Sequence, residues 1–373
     1  MTPGPLVQRL PTAGKPITVR GLGPADASEV LRLHGAVFSS GAEAAWYEWK
    51  YGAGQGKAVG VWSEGELIAH CGGLPRTIQV GRQTMAGMQI GDVMVAPAWR
   101  GLMTRSSPFF HASNTFYQHW IGPDRAYTLG FGFPSHRHLR LAVKQHLLWD
   151  VGTISSLEWD WSTPESGRGE PFAPPIRQPA PRRGWWPWAS QGVALSATDA
   201  AAIHSLLAPC WEGMLADFTS DAALGVGVRD ASYLRWRYFD HPDRPYRYLL
   251  IRRPWHKTPV GLVVWRLDGE SAAWLDWIGP RAWMPKALQH CHQAASAAGA
   301  KRLSAWMSPV AASWLGETQP CGSFVSNLIR HARVNVSEVA RVGMPQTSCW
   351  PAGGEYDLNT VRWWWMGGDT DFL

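Results

Sequence analysis

Between Ser162 and Pro187 the chain reads STPESGRGEPFAPPIRQPAPRRGWWP, and no other stretch limits its folding as strongly. Each proline fixes φ near about −65° and removes a backbone donor, so neither a helix nor a central strand can run through it. The 373 residues therefore divide into segments on either side. At roughly 100–200 residues per domain, two domains are expected. The predicted organisation is a domain over 1–160, a linker over 161–190 and a second domain over 191–373.

The first segment opens with β-type sequence at Ile17–Arg20, a helix over Ala25–Val37 and a short Trp-rich helix over Ala44–Tyr51. Lys57–Ser63 and Glu66–Leu74 are apolar runs joined at Glu64-Gly65, which reads as a hairpin, and Thr84–Ala96 reads as another strand. Ser107-Pro108 supplies an N-cap and a proline for the first helical position of a helix reaching Trp120. A strand over Ala126–Phe131, a helix over His136–His146 and a strand over Leu147–Leu157 complete an α/β unit of the α+β type. Its sheet is mixed, mostly antiparallel and flanked by helices.

The second segment repeats the first. Trp49-Lys50-Tyr51 returns as Trp236-Arg237-Tyr238. Roughly forty residues beyond each copy stand Asp92 with Ala98-Trp99 and Asp276 with Ala282-Trp283, at the same internal interval. Pro285–Ala298 then reads as a helix ended by Gly299, and Arg302–Met307 as a strand. Two similar but separate sheets are predicted, over Ile17–Trp159 and Gly192–Val342.

Composition narrows the function classes. Hydrophobic residues at 45% against charged residues at 17% describe a folding chain. The net charge of +6 is spread without a long basic run, so nucleic acid is not an expected partner. Five cysteines, with no CxxC spacing, form neither a disulfide framework nor a zinc site, and a cytoplasmic setting is expected. No run of 18 apolar residues calls for a membrane span. The 24 Trp are expected to fill cores and interfaces. His290-Cys291-His292 resembles a ligand set, but adjacent helical positions point apart, and no metal is expected.

Gln89–Phe110, QIGDVMVAPAWRGLMTRSSPFF, passes from a strand through a Gly-containing turn into a helix start. Backbone N–H groups and the positive end of the helix converge there, with Arg100 and Arg105 adding charge for phosphates. This segment resembles the GNAT N-acyltransferase superfamily, whose fourth strand leads into an Arg/Gln-x-x-Gly-x-Gly/Ala loop. Val93-Met94-Val95-Ala96-Pro97 and Arg100-Gly101 match the approach to that loop, and Tyr127–Pro134, YTLGFGFP, is similar to the superfamily's fifth strand. After Arg100-Gly101 comes Leu102-Met103-Thr104, so the second glycine is absent.

The resemblance implies two tandem GNAT-like domains, with acetyl-CoA or a longer acyl-CoA as co-substrate and an amine as acceptor. Coenzyme A would lie against Val93, Met94, Val95, Arg100, Gly101, Leu102, Met103, Thr104, Arg105 and Ser107. Direct attack of an amine on a thioester needs an oriented amine, a proton acceptor and a donor to the carbonyl oxygen. Asp92 is the candidate base, an alternative being a structural carboxylate that anchors the loop. His138, with His136, is the candidate for the acid, since the helix after the fifth strand holds no Tyr. His70 is a weaker candidate base. In the second half Arg281-Ala282-Trp283-Met284-Pro285 stands at the loop position without a glycine, and that half reads as a degenerate copy. Two other functions fit the same resemblance, a non-catalytic GNAT pair and a Fem-type aminoacyl transferase.

Overall fold

The hairpin predicted at Glu64-Gly65 starts the sheet. Both residues have positive φ, 50° and 85°, the two-residue turn whose twist matches the strands it joins. We describe the chain from a computed structural model covering residues 7–10, 16–38, 41–52, 55–101, 104–161, 191–195, 200–243, 245–316, 333–345 and 360–370. The Pro-rich linker lies outside the described residues.

The first half runs β1 (Val7–Leu10), β2 (Ile17–Gly21), α1 (Ala27–Val37), α2 (Ala44–Tyr51), β3 (Lys57–Ser63), β4 (Glu66–Val80), β5 (Gln83–Val95), α3 (Pro108–Trp120), β6 (Leu129–Gly132), α4 (His136–Lys144) and β7 (Leu148–Asp160). Ser107 caps α3 by accepting the Phe110 N–H at 3.2 Å, with Pro108 at the first helical position as the sequence implies. The second half runs β8 (Gln191–Leu195), α5 (Ala200–Thr219), β9 (Leu224–Gly227), α6 (Ala231–Leu234), β10 (Tyr246–Arg252), β11 (Pro259–Asp268), β12 (Ser271–Ile278), α7 (Met284–Ala297), β13 (Arg302–Met307), α8 (Pro309–Gly316), β14 (Arg333–Pro345) and β15 (Arg362–Trp364).

The architecture is mixed α/β, a large, mostly antiparallel sheet flanked by helices, as expected. It differs from the expectation in one respect. Instead of two separate sheets there is one continuous sheet, ordered β1-β2-β3-β4-β5-β6-β14-β7-β13-β12-β11-β10-β8. The halves join by exchanging strands. β14, from the second half, lies between β6 and β7 and pairs antiparallel with β7 along its length, while β7 pairs antiparallel with β13 on its other side. A sheet edge left in water presents unpaired N–H and C=O groups, and this exchange removes such an edge from each half. On a branch from this path, β9 pairs with the end of β4 and with β15.

Apolar clusters cover both faces. In the first half one cluster gathers under α3 and another between α1, α2 and the sheet. The C-terminal residues Val361, Trp363 and Trp365 pack into the first of these, which ties the chain's last described segment to its first half. Trp159, Trp274, Trp277, Trp314, Trp364 and Trp365 are fully buried, each removing about 150–250 Å² from water. Cys71, Cys210 and Cys291 are buried free thiols, whereas Cys321 and Cys349 lie outside the described residues.

Candidate functional site

β5 and β6 run parallel from Gly87 and Leu129 to Ile90 and Gly132, and there the pairing stops. Immediately beyond, β5 carries a bulge against β4, where His70 pairs with Met94 and Gly72 with Gly91, so that Asp92 and Val93 together face Cys71. Asp92 takes φ = 48°, a left-handed conformation that side chains other than glycine seldom adopt. The bulge turns its carboxylate toward the α1–α2 face.

Two residues of α2 receive it. Lys50 Nζ lies 3.0 Å from Oδ1 and 2.8 Å from Oδ2, and Tyr51 donates its hydroxyl to Oδ2 at 2.5 Å. Gly72 makes this possible, because a Cβ there would sit 2.1 Å from the Tyr51 oxygen. His70, wholly buried on β4, bonds through Nδ1 to the Asp92 carbonyl at 2.7 Å. Its Nε2 has no partner among the described residues. Burial keeps this imidazole's pKa below its ordinary value. Burial also acts to raise the Asp92 pKa, but the Lys50 charge and the hydrogen bonds from Lys50 and Tyr51 outweigh it and hold the carboxyl below the usual range. Asp92 is an ionised, paired carboxylate.

Where β5 and β6 part, a cavity of about 710 Å³ opens. From the first half it is lined by His34, Trp46, Trp49, Asp92, Val93, Phe133 and His138, and from the second by Arg237, His241 and Asp243. His138 stands in the first turn of α4, half-buried with its ring edge-on to Phe109, and burial pulls its pKa down to about 4. It is therefore neutral at physiological pH. His34 is held below its ordinary pKa, chiefly by burial, and its Nδ1 has no partner among the described residues. At the junction of the halves, Trp49 and Trp236 stack at 5.1 Å with planes 5° apart. Each indole N–H donates to the other's carbonyl, at 2.8 and 3.4 Å.

The structure thus brings Asp92, Val93 and His138 to one cavity and leaves the other described candidates elsewhere. Met94 packs into the α1–α2 cluster and Val95 against the cluster under α3. Arg100 is exposed and donates Nε to the Val95 carbonyl at 2.9 Å, and Gly101 has φ = 96°. Leu102 and Met103 lie outside the described residues. The Thr104 carbonyl accepts from Gln145 and from the Ser107 amide, Arg105 lies over Phe110, and buried Ser107 serves α3 as its cap. None of Arg100, Gly101, Thr104, Arg105 and Ser107 lines the cavity. Sequence reasoning missed Lys50 and Tyr51, although the repeated Trp-Lys/Arg-Tyr triplet marked their place. It also missed Arg237 and His241, which reach the cavity only because the halves meet. His290 and His292 diverge from buried Cys291, the first under Gly192 and the second edge-on to Trp161. Among the described residues no three His, Cys, Asp or Glu side chains gather as a metal site, and no helix is long and apolar enough to cross a membrane.

Residues 18–106 match the family model described as an acetyltransferase (GNAT) domain. No curated protein matches the chain. Among solved structures it is similar to a conserved protein of unknown function, a probable N-acyltransferase, from Enterococcus faecalis V583, with a TM-score of 0.59 and 13% identity over 89% of this chain and 73% of that one. It is also similar to a GCN5-related N-acetyltransferase from Kribbella flavida (0.54, 17%, 87% and 70%) and to one from Anabaena variabilis ATCC 29413 (0.57, 11%, 87% and 72%). At these identities the likeness is one of fold. Together, the domain match and the fold support acyl transfer as the general activity.

Proposed function

We propose that the chain transfers an acyl group from a coenzyme A thioester to an amine by direct attack in a ternary complex, with the cavity beside Asp92 as the reaction chamber. The observation that carries this reading is the parting of β5 from β6 at the Asp92 bulge. Among the described residues β5 has no strand partner on the β6 side beyond Ile90, and this edge borders the cavity at Gly91–Val93. An extended, amide-bearing ligand fits such an edge, and Arg100 and Arg105 on the turn that follows would attract its phosphates. The bound thioester supplies the activated carbonyl.

The two candidate catalytic residues then take different parts. We assign His138 to accept the proton of the attacking amine, because its imidazole is neutral, half-buried and at the cavity wall. Asp92, with both oxygens engaged by Lys50 and Tyr51, is assigned to holding the bulge open. Trp46, Trp49 and Phe133 offer the acceptor apolar walls, and the second half closes the chamber with Arg237 and His241.

A second reading, a GNAT pair that binds without transferring, is favoured by the absence of Arg100, Gly101, Thr104, Arg105 and Ser107 from the cavity lining. Calorimetric titration with acetyl-CoA, followed by transfer to a primary amine, separates the readings. Binding with turnover supports the enzyme, and binding without turnover supports the alternative. His138→Gln is expected to lower turnover about a hundredfold at unchanged cofactor affinity. Asp92→Asn should lower thermal stability, cofactor affinity and turnover together. A hundredfold loss of turnover alone in Asp92→Asn would make Asp92 the base.

A further inference from the structure

The tip of the β10–β11 hairpin serves neither the cavity nor the core. Arg253-Pro254-Trp255-His256-Lys257 forms the turn, and Trp255 is 88% exposed, far beyond any other large apolar side chain among the described residues. An indole left in water forgoes the burial that usually justifies its size. Its φ of 64° adds the strain of a bulky residue in the left-handed region. The fold holds this ring clear of its own surface.

A ring of cations stands behind it. Trp283, half-buried in the turn before α7, has the Arg253 guanidinium 5.6 Å and the Lys286 ammonium 5.9 Å from its ring centre. Arg253, Lys257 and Lys286 are exposed, and among the described residues none of them is paired with a carboxylate. The sequence shows no long basic run here because the patch is assembled in space, from the hairpin tip and the start of α7.

We propose that this patch docks the protein on an anionic lipid surface, with Trp255 entering the headgroup zone and Arg253, Lys257 and Lys286 resting against lipid phosphates. Indole rings favour that zone, which accepts an apolar body beside a polar N–H. Each cation near an anionic surface strengthens association about fivefold. Single-stranded nucleic acid suits the patch less well. It needs several ring faces along a groove for successive bases, and here Trp283 is already engaged by Arg253 and Lys286, which leaves one free indole.

The full chain, sedimented with vesicles of phosphatidylcholine alone or mixed with phosphatidylglycerol, tests the proposal. The expected result is binding to the mixed vesicles only, weakening as salt rises above about 0.1 M. Arg253→Gln and Lys257→Gln should each weaken it about fivefold, and Trp255→Gly about tenfold or more. Glycine accepts φ near 64° without strain, so Trp255→Gly should melt no lower than the parent chain. If it does melt lower, the exposed Lys257→Gln decides. Equal binding to neutral vesicles, undiminished binding by a correctly folded Trp255→Gly, or no binding to either vesicle would overturn the proposal. So would capture of a single-stranded oligonucleotide through these same residues while the vesicles stay unbound.

Discussion

Asp92 and Asp276 occupy matching places in the two halves, and their surroundings have diverged. Each sits at a bulge just past the end of a parallel strand pair, accepts a Tyr hydroxyl (Tyr51 at 2.5 Å, Tyr238 at 3.0 Å), and has its own carbonyl bonded by a ring nitrogen (His70 at 2.7 Å, Trp274 at 2.8 Å). At Asp92 the gap between the strands remains a cavity. At Asp276 the last described segment fills it. Met366 bridges to Met307, the Trp365 amide and carbonyl bond Ser308, and Gly368 approaches so closely that a Cβ would lie 1.9 Å from the Tyr238 oxygen. Arg237, the counterpart of Lys50, donates to the Gly368 and Thr370 carbonyls, and Arg229 takes over the ion pair with Asp276 at 2.7 Å while also binding Asp369. One half keeps a chamber, and the other has converted the same notch into a buried polar junction.

The most damaging test of this contrast is removal of the cation on each side. Arg229 is fully buried between two carboxylates, so Arg229→Met should cost about 3–5 kcal/mol in urea unfolding. Lys50→Met, beside a cavity that admits water to Asp92, should cost about 1–3 kcal/mol. Equal losses would erase the distinction. Gly368→Ala should cost about 1–3 kcal/mol by overpacking the filled notch, measured as a lower unfolding midpoint. A neutral result there would mean that the segment yields easily. Alanine substitutions of Trp49 and Trp236 in a double-mutant cycle should show a coupling of about 0.5–1.5 kcal/mol, the contribution of the stacked pair that joins the halves.

The smallest effect is a difference in sign with pH. The Asp92 carboxyl is held below its unfolded value, so its stabilisation is complete above about pH 3.9 and is lost as the pH falls through the folded pKa. For Asp276, burial is the largest cause and outweighs Arg229, so its pKa is raised and stability declines as the pH climbs from the unfolded value toward the folded one. Unfolding free energies between about pH 7 and pH 3 should show the deficit of Asp92→Asn narrowing toward acid and that of Asp276→Asn widening. Parallel curves would contradict the assignment.

Local signals carried much of this architecture. Ser107-Pro108, Glu64-Gly65 and the short Trp-rich segment Ala44–Tyr51 are each local in sequence, and the corresponding cap, turn and helix stand where the sequence places them. The repeat foretold that Trp49 and Trp236 would hold equivalent positions, but not that they would stack on one another. What escaped the sequence depends on contacts between distant segments. β14 pairs with a strand some 185 residues earlier, and nothing in its own residues announces that partner. The left-handed turn at Asp92 is set by Lys50, Tyr51 and His70 from two other elements, so a strand pattern through Gln89–Val95 gives no sign of it.

The exchange of β7 and β14 also sets a timetable for synthesis. A nascent chain elongating at about 5–20 residues per second would expose β7 for on the order of ten to forty seconds before β14 is made. During that interval the strand between β6 and β7 is missing, and their edges are open to pairing with other chains. The first half therefore cannot be completed as an autonomous unit on the ribosome. Its closing strand is made only after β8–β13 have emerged.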